Sequence, residues 1–508
     1  MMSALLNVVL VLPLVGFLVL LVLPRHDHGL LRATALFFSL ATFVLSLPLA
    51  ATPGAGAFQW ETDVAWISTP PIRYHVGIDG ISLWLVLLVT FLTPIAILAS
   101  WRHIESRVKE FFIFLLLLET GMIGVFISLD LFLFYVFWEV TLVPMYFLIG
   151  VWGHERRIYA AIKFILYTMA GSVLMLVAIL WLYNVTGTFD IISLTGLLRG
   201  GGIPLSPAQE FFLFAAFFIA FAIKVPLFPF HTWLPDAHSE APTAGSILLA
   251  SVLLKMGAYG MLRFCLPFFP QAARRLGPAI CILALIGIVY GALVCLVQPN
   301  VKRLVAYSSV SHMGFVVLGI FGFTQIGVDG AVYQMLNHGI STGALFLLVG
   351  MLYERRHSLD ITAYGGVATP APWLAAAFLV TSLASAGLPM LNNFIGEFLV
   401  LQGTAEANFR FAVVAALGVI LAAWYLLWLY QRVFLGDPAE EVASHFTDLT
   451  VREFAALIPL LVMMVWMGVY SQTFLPRISA ATTRALGPLE LRVEAAGSPT
   501  ARLEGHAR

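Results

Sequence analysis

Long apolar stretches separated by short polar ones run along the whole chain. A helix needs about 20 consecutive apolar residues to cross the hydrocarbon layer of a bilayer. Fourteen stretches reach that length, at approximately 4–24, 31–50, 78–100, 111–128, 131–150, 158–184, 208–230, 243–266, 277–297, 302–321, 328–351, 372–400, 410–433 and 454–475. The pattern predicts an all-α, polytopic membrane protein of about 14 transmembrane helices and no soluble domain. The longest polar pieces are the loops near 51–77 and 186–207, the acidic loop 436–452 and the tail from Arg477. The first apolar run has no basic region ahead of it, so it reads as a span rather than a cleaved leader.

Two spans carry helix breakers. The seventh holds Pro226 and Pro229 between Lys224 and His231, and the twelfth holds Gly387 and Pro389 ahead of Asn392, Asn393 and Glu397. Proline removes a backbone donor and clashes with the preceding turn, so both spans are predicted to break inside the membrane. Their polar residues recur at nearly one offset. Lys224 and Glu397 are 173 residues apart, Glu139 and His312 are also 173 apart, and Lys163 and His338 are 175 apart. Such an offset is what an internal duplication leaves. It carries five spans, an odd number, so the second copy is expected to be inverted. The division that follows is 1–110 (three helices), 111–266 (first five-helix repeat), 277–434 (second, inverted repeat) and 435–508 (last helix and tail).

Composition agrees with a membrane solvent. Hydrophobic residues make up 60% of the 508 and charged residues 11%, where a soluble chain carries roughly 25%. The formal net charge is zero, which gives no sign of a nucleic-acid partner. Cys265, Cys281 and Cys295 lie in apolar runs and fit no metal or disulfide spacing. No dinucleotide fingerprint, phosphate loop or iron–sulfur cysteine set is present, so no redox cofactor is expected on this chain. Lysines and arginines in alternate loops number thirteen on one side and five on the other. That bias puts the loops near Arg102, Arg156, Lys302 and Arg355 in the cytoplasm and both termini outside.

Charges inside the spans are the candidate chemistry. Of five lysines, Lys163, Lys224 and Lys255 fall in apolar runs, as do Glu119, Glu139 and Glu397. An unpaired charge at the bilayer centre costs roughly 2.5–3.5 kcal/mol on insertion scales. These groups are therefore expected to face one another or a wet cavity. Glu139 reads either as half of an ion pair locking two helices or as a mobile carboxylate controlling a lysine. At about 4 Å from Lys224 and an effective dielectric of 20, the attraction would be about 4 kcal/mol. Lys255 near mid-span and Glu397 after a helix break are further members of a proton relay. Lys163, near a span end, reads as a secondary member or as a snorkelling lysine. Glu119 is either a helix-packing polar residue or another member. His312 and His338 are the expected carriers between the lysines, because histidine donates and accepts near neutral pH. His231 and His238 are expected at the cytoplasmic mouth.

The stretch from Phe221 to His238, with Lys224, Pro226, Pro229, His231, Trp233 and Pro235 in order, resembles the signature of the antiporter-like subunits of respiratory complex I. So do Ser251 to Gly260 around Lys255, Ser308 to Gly314 around His312, and Asn337-His338-Gly339. The likeness covers about 110–475. It implies a fourteen-helix subunit with two inverted five-helix repeats in the membrane arm of a bacterial inner-membrane NADH:quinone oxidoreductase. The family's central charges fall here on Glu139, Lys224, Lys255 and Glu397. Sister subunits usually carry lysine where this chain has Glu397, which favours the M-type branch, counterpart of mitochondrial subunit four. The resemblance also implies that NAD, FMN, iron–sulfur clusters and quinone belong to partner subunits, and that neighbouring antiporter-like subunits flank the chain. A subunit of a cation/proton antiporter, a membrane subunit of a hydrogenase complex, and a purely structural subunit are the alternatives on the same scaffold.

Overall fold

The chain is described by a computed structural model over residues 2–51, 58–199, 202–438, 442 and 446–497. Parts of three predicted loops (52–57, 200–201, and 439–441 with 443–445) and the tail beyond 497, with Arg502 and Arg508, lie outside the described residues. Among the described residues, thirteen helices are long and apolar enough to span a membrane. The twelfth predicted span is instead two shorter helices, Pro372–Ser385 and Asn392–Ala407. Helices Thr243–Phe268 and Gln325–Arg356 are buried along an 18-residue stretch each, whereas Ala4–Val22 and His28–Ala51 are mostly uncovered. The core therefore lies where the two predicted halves meet.

Helix breaks follow local chemistry. The helix Pro207–Lys224 stops at Pro226 and the chain stays irregular until Trp233–Glu240. The Leu227 amide turns to the Ala222 carbonyl (2.8 Å). That leaves the Ile223 carbonyl, which the Trp233 indole N–H meets at 2.9 Å. A carbonyl freed inside hydrocarbon has to find such a partner in the protein. In the twelfth span Gly387 and Met390 take left-handed backbone angles (φ +77 and +74) between the two helices. The fifth span runs from Leu131 to Trp152 with one irregular turn at Thr141, where Pro144 offers no N–H to the Val140 carbonyl, though Thr141 itself keeps helical angles.

The all-α architecture holds, with one small sheet beside it. The loop near 51–77 forms an antiparallel hairpin, Gln59–Ile67 with Ile72–Ile78. The loop near 186–207 holds a helix, Ile191–Arg199, and the tail from Arg477 belongs to the helix Leu475–Gly497. These pieces are too short or too polar for a span-length hydropathy reading to register.

One motif occurs twice. Asp130 pairs with Asp190 in an isolated antiparallel bridge, and Asn300 pairs with Asp360 in another. Leu131 and Ile191 donate across the first at 2.9 and 2.8 Å, and Val301 and Ile361 across the second at 2.9 and 2.8 Å. Asp130 and Asn300 also cap the helices that start beside them. Each bridge thus closes the open end of a two-span hairpin. The two are 170 residues apart in sequence, close to the offset of the polar side chains.

The hairpin is tied to the first bridge. The Leu129 amide donates to the His75 carbonyl (2.8 Å), and His75 Nδ1 lies 2.7 Å from Asp190. Asp79, beyond the hairpin, accepts from the Ile81 and Ser82 amides and from Arg263 (2.8 Å). Burial alone would raise the Asp79 carboxyl, but the adjacent Arg263 guanidinium prevails and holds it at about 2. Burial pushes the His75 imidazole down, but Asp190, Asp63 and Glu61 lift it above its usual value. A raised histidine stabilises fully below its unfolded pKa, near 6.5, and that contribution fades as pH rises through the folded value. His75→Ala should therefore lower stability by about 1–3 kcal/mol in mild acid, with the gap to the unmutated protein shrinking in alkali. Thermal melts of both proteins across pH check this; a gap independent of pH counts against the His75–Asp190 tie.

Candidate functional site

Lys224 ends its helix at the proline break and is 1% exposed. Its ammonium lies over the Trp138 ring (5.0 Å) and the Phe164 ring (5.9 Å). Trp138 is held in place by its indole bond to Ser172 Oγ (2.9 Å). Aromatic faces supply negative potential where hydrocarbon supplies none. Lys224 Nζ has no hydrogen-bond partner among the described residues. Glu139, the neighbour of Trp138 in sequence, is not within ion-pair distance of Lys224. Glu139 is also only half-buried, with Oε1 unpartnered among the described residues.

Lys255 is fully buried on the short helix Leu254–Gly260 between two π-turns, Leu249–Leu253 and Met261–Cys265. A π-turn widens the helix and loosens its carbonyls. The Lys255 ammonium uses one, donating to Ala250 O at 2.5 Å, and meets His338 Nδ1 at 2.6 Å. Ser251 Oγ straps the same segment to Gly339 O (2.7 Å). Two residues beyond Lys255, Gly257 lets the backbones touch. A methyl there would sit 2.7 Å from Phe221 O and 3.0 Å from Val225 N, against the turn that carries Lys224.

The line continues into the second half. The His338 and His312 rings are 5.9 Å apart. His312 Nδ1 lies 2.7 Å from Glu397 Oε1, which also accepts from Gln334 Nε2 at 3.0 Å. Tyr425 OH lies 3.3 Å from His312 Nε2. Asn392 and Asn393 bond Asn337 O (3.1 Å) and Ser341 Oγ (3.1 Å), which fixes the start of the helix bearing Glu397. Lys255, His338, His312 and Glu397 therefore form one buried polar line across the centre of the chain. Lys224 approaches it through backbone contact at Gly257, with no side-chain hydrogen bond to it.

Lys163 lies elsewhere. It pairs with Asp236 (2.7 Å), which also takes Arg303 (3.0 Å), in a partly exposed cluster. Glu119 is buried with both oxygens unpartnered among the described residues, so no hydrogen bond joins it to the line. His238 was expected at a mouth; it is fully buried and stacked on Phe346 at 4.5 Å. His231 is 3% exposed beside Phe228 and Tyr290. Lys302, counted from sequence as a loop charge, is buried and donates to the Ala241 carbonyl. Gln334, Tyr425 and Asp236 were missed. The first two had a signal, a polar group within an otherwise apolar span, while Asp236 was visible only as part of a loop.

These features define a class: a polytopic membrane subunit with paired broken helices and a central line of ionisable side chains. The chain belongs to the antiporter-like subunit M family of NADH:quinone oxidoreductase, known also as chain 4. A profile described as NADH:quinone oxidoreductase/Mrp antiporter, transmembrane, matches residues 128–422, and one described as NADH-ubiquinone oxidoreductase chain 4, amino terminus, matches residues 8–125. The chain is 47% identical to NADH-quinone oxidoreductase subunit M of Rhodobacter capsulatus over 92% of its own length and 94% of that protein. A chain of respiratory complex I from Thermus thermophilus with bound NADH superposes with a TM-score of 0.87 at 32% identity, covering 96% of this chain and 100% of that one. A chain of the Mrp complex from Dietzia shares the fold, with a TM-score of 0.86 at 21% identity over 96% of this chain and 98% of that one.

Gly396 is the close-packing point beside Glu397. A methyl there would collide with Gln334 Oε1 and lie 2.7 Å from Asn337 Nδ2. Gly396→Ala should cost about 1–3 kcal/mol by overpacking and part Gln334 from Glu397. Melts of the assembled complex and proton-pumping rates check this; unchanged pumping would make that contact dispensable.

Proposed function

We propose that this chain is a proton-translocating subunit of the membrane arm of NADH:quinone oxidoreductase, in a bacterial inner membrane. The observation that carries the reading is the run from Lys255 through His338 and His312 to Glu397. Each group on it takes up or gives up a proton, and each is sheltered from lipid. NAD, FMN, iron–sulfur clusters and quinone are assigned to partner subunits, from which coupling arrives as electrostatic or conformational change. Neighbouring antiporter-like subunits are the expected partners, together with the lipid bilayer.

In this mechanism Lys224 and Glu139 form the switch and Lys255, the histidines and Glu397 form the conductor. Bringing Glu139 toward Lys224 favours the ammonium, and withdrawing it leaves the lysine with aromatic faces alone, which favours release of its proton. The released proton passes to Lys255 and along the histidines. Lys163 with Asp236 and Arg303 guards the face where the basic loops gather, which the charge bias assigns to the cytoplasm. Moving one charge against 100 mV costs about 2.3 kcal/mol, so the line must not be wet at both faces at once. The division into 111–266 and 277–434 assigns the switch to the first half and His312, His338 and Glu397 to the second. The antiporter alternative rests on a shared fold at 21% identity, whereas the subunit M relatives reach 47%.

Lys224→Ala should abolish pumping while the complex still assembles and transfers electrons to an artificial acceptor. Proteoliposome acidification, read beside assembly on a native gel, tests it. Normal pumping in a correctly assembled variant rejects the relay.

A further inference from the structure

A cavity of about 260 Å³ opens between the helices His28–Ser46, Ser82–Ala99, Gln325–Arg356 and Val451–Val469. Its lining is apolar apart from Thr473 and the Trp84 indole, with Phe43, Phe91, Ile340 and Trp466 among its walls. We propose that this cavity is a phospholipid site, with one acyl chain between Phe43, Phe91 and Ile340 and the phosphate on the Arg477 guanidinium.

Three observations order the ligand from tail to head. The inner end, at Phe91 and Ile340, is hydrocarbon on every side. Trp84 stands seven residues before Phe91 on one helix, about 10 Å nearer the helix end. Its indole N–H is buried without a partner among the described residues, a donor at the depth of an ester carbonyl. Arg477 lies over the Trp84 ring at 5.9 Å. It has no carboxylate partner among the described residues, and a guanidinium matches phosphate in charge and shape. Aromatic side chains collect at this end, as they do at membrane interfaces. A neighbouring protein helix would satisfy the apolar walls but has no reason to place an anion on Arg477.

The site has a structural consequence. Ile340 is two residues from His338 on the same helix, so an acyl chain there backs the helix that holds the polar line and keeps water from reaching it sideways. The proposal itself does not rest on proton transport, and its test reads lipid rather than pumping.

The assembled complex, reconstituted with a phosphatidylglycerol carrying a photoactivatable diazirine on one acyl chain, should label peptides containing 43–50, 84–91 and 463–474. Leu87→Trp and Ala50→Phe, each filling the cavity from a half-buried position, should cut that label roughly tenfold. Arg477→Gln should reduce it about tenfold, the loss of one charge-assisted contact, and should leave labelling by an uncharged diacylglycerol probe unchanged. If one filling variant fails to assemble, the other decides. Label confined to other segments, label unaffected by filling, or a neighbouring subunit's peptide crosslinked across the cavity would overturn the proposal.

Discussion

In hydrocarbon, a polar group that leaves its regular partner must be met by another group of the same protein. Nearly every functional feature of this chain follows from that requirement. The Ile223 carbonyl, left open when the Leu227 amide turns to the Ala222 carbonyl that Pro226 cannot serve, is met by the Trp233 indole, and the ammonium of Lys255 is met by a carbonyl of a π-turn and by His338. Breaking a helix within the membrane is thus how the chain obtains polar backbone atoms there at all. At Lys224, Lys255 and Glu397 a charge and an irregular backbone segment occur together.

The two breaks serve different ends. In the first half the break leaves Lys224 facing aromatic rings, with a carboxylate near but not touching. In the second half it turns the chain at Gly387 and begins the helix Asn392–Ala407, on which His312 and Gln334 hold Glu397. One half holds a charge loosely and the other holds one tightly. That asymmetry is what a device with a switch and a conductor requires, and it arises on a repeated scaffold through changes of a few side chains.

Much of this could be read from the amino-acid order. Span lengths, the breakers at Pro226, Gly387 and Pro389, and the charged positions all stand out against an apolar background. Partners did not. Nothing in the spacing says that Lys255 bonds His338 while Lys163 bonds Asp236, because those contacts depend on helix rotation and on close approach at Gly257 and Gly396. Lys302 was misplaced for a similar reason: a lysine beside arginines reads as solvated, whereas the fold turns its chain inward to a helix end. The hairpin was invisible because two short strands on a membrane surface leave no span-length signal. Pro144 was visible, but its effect on the backbone after Glu139 emerges only when the carbonyl it fails to serve is located.

The twin bridges at Asp130–Asp190 and Asn300–Asp360 have a mechanical consequence. Each turns a helical hairpin into a closed ring, joined by the chain at one membrane face and by backbone hydrogen bonds at the other. A closed ring cannot splay, so it acts as a fixed post. Deformation is left to the broken helix that leaves each ring just past its bridge. Since the two bridges stand on opposite faces, the compliant segments are anchored at opposite ends, and a push along the membrane plane would flex one half from above and the other from below.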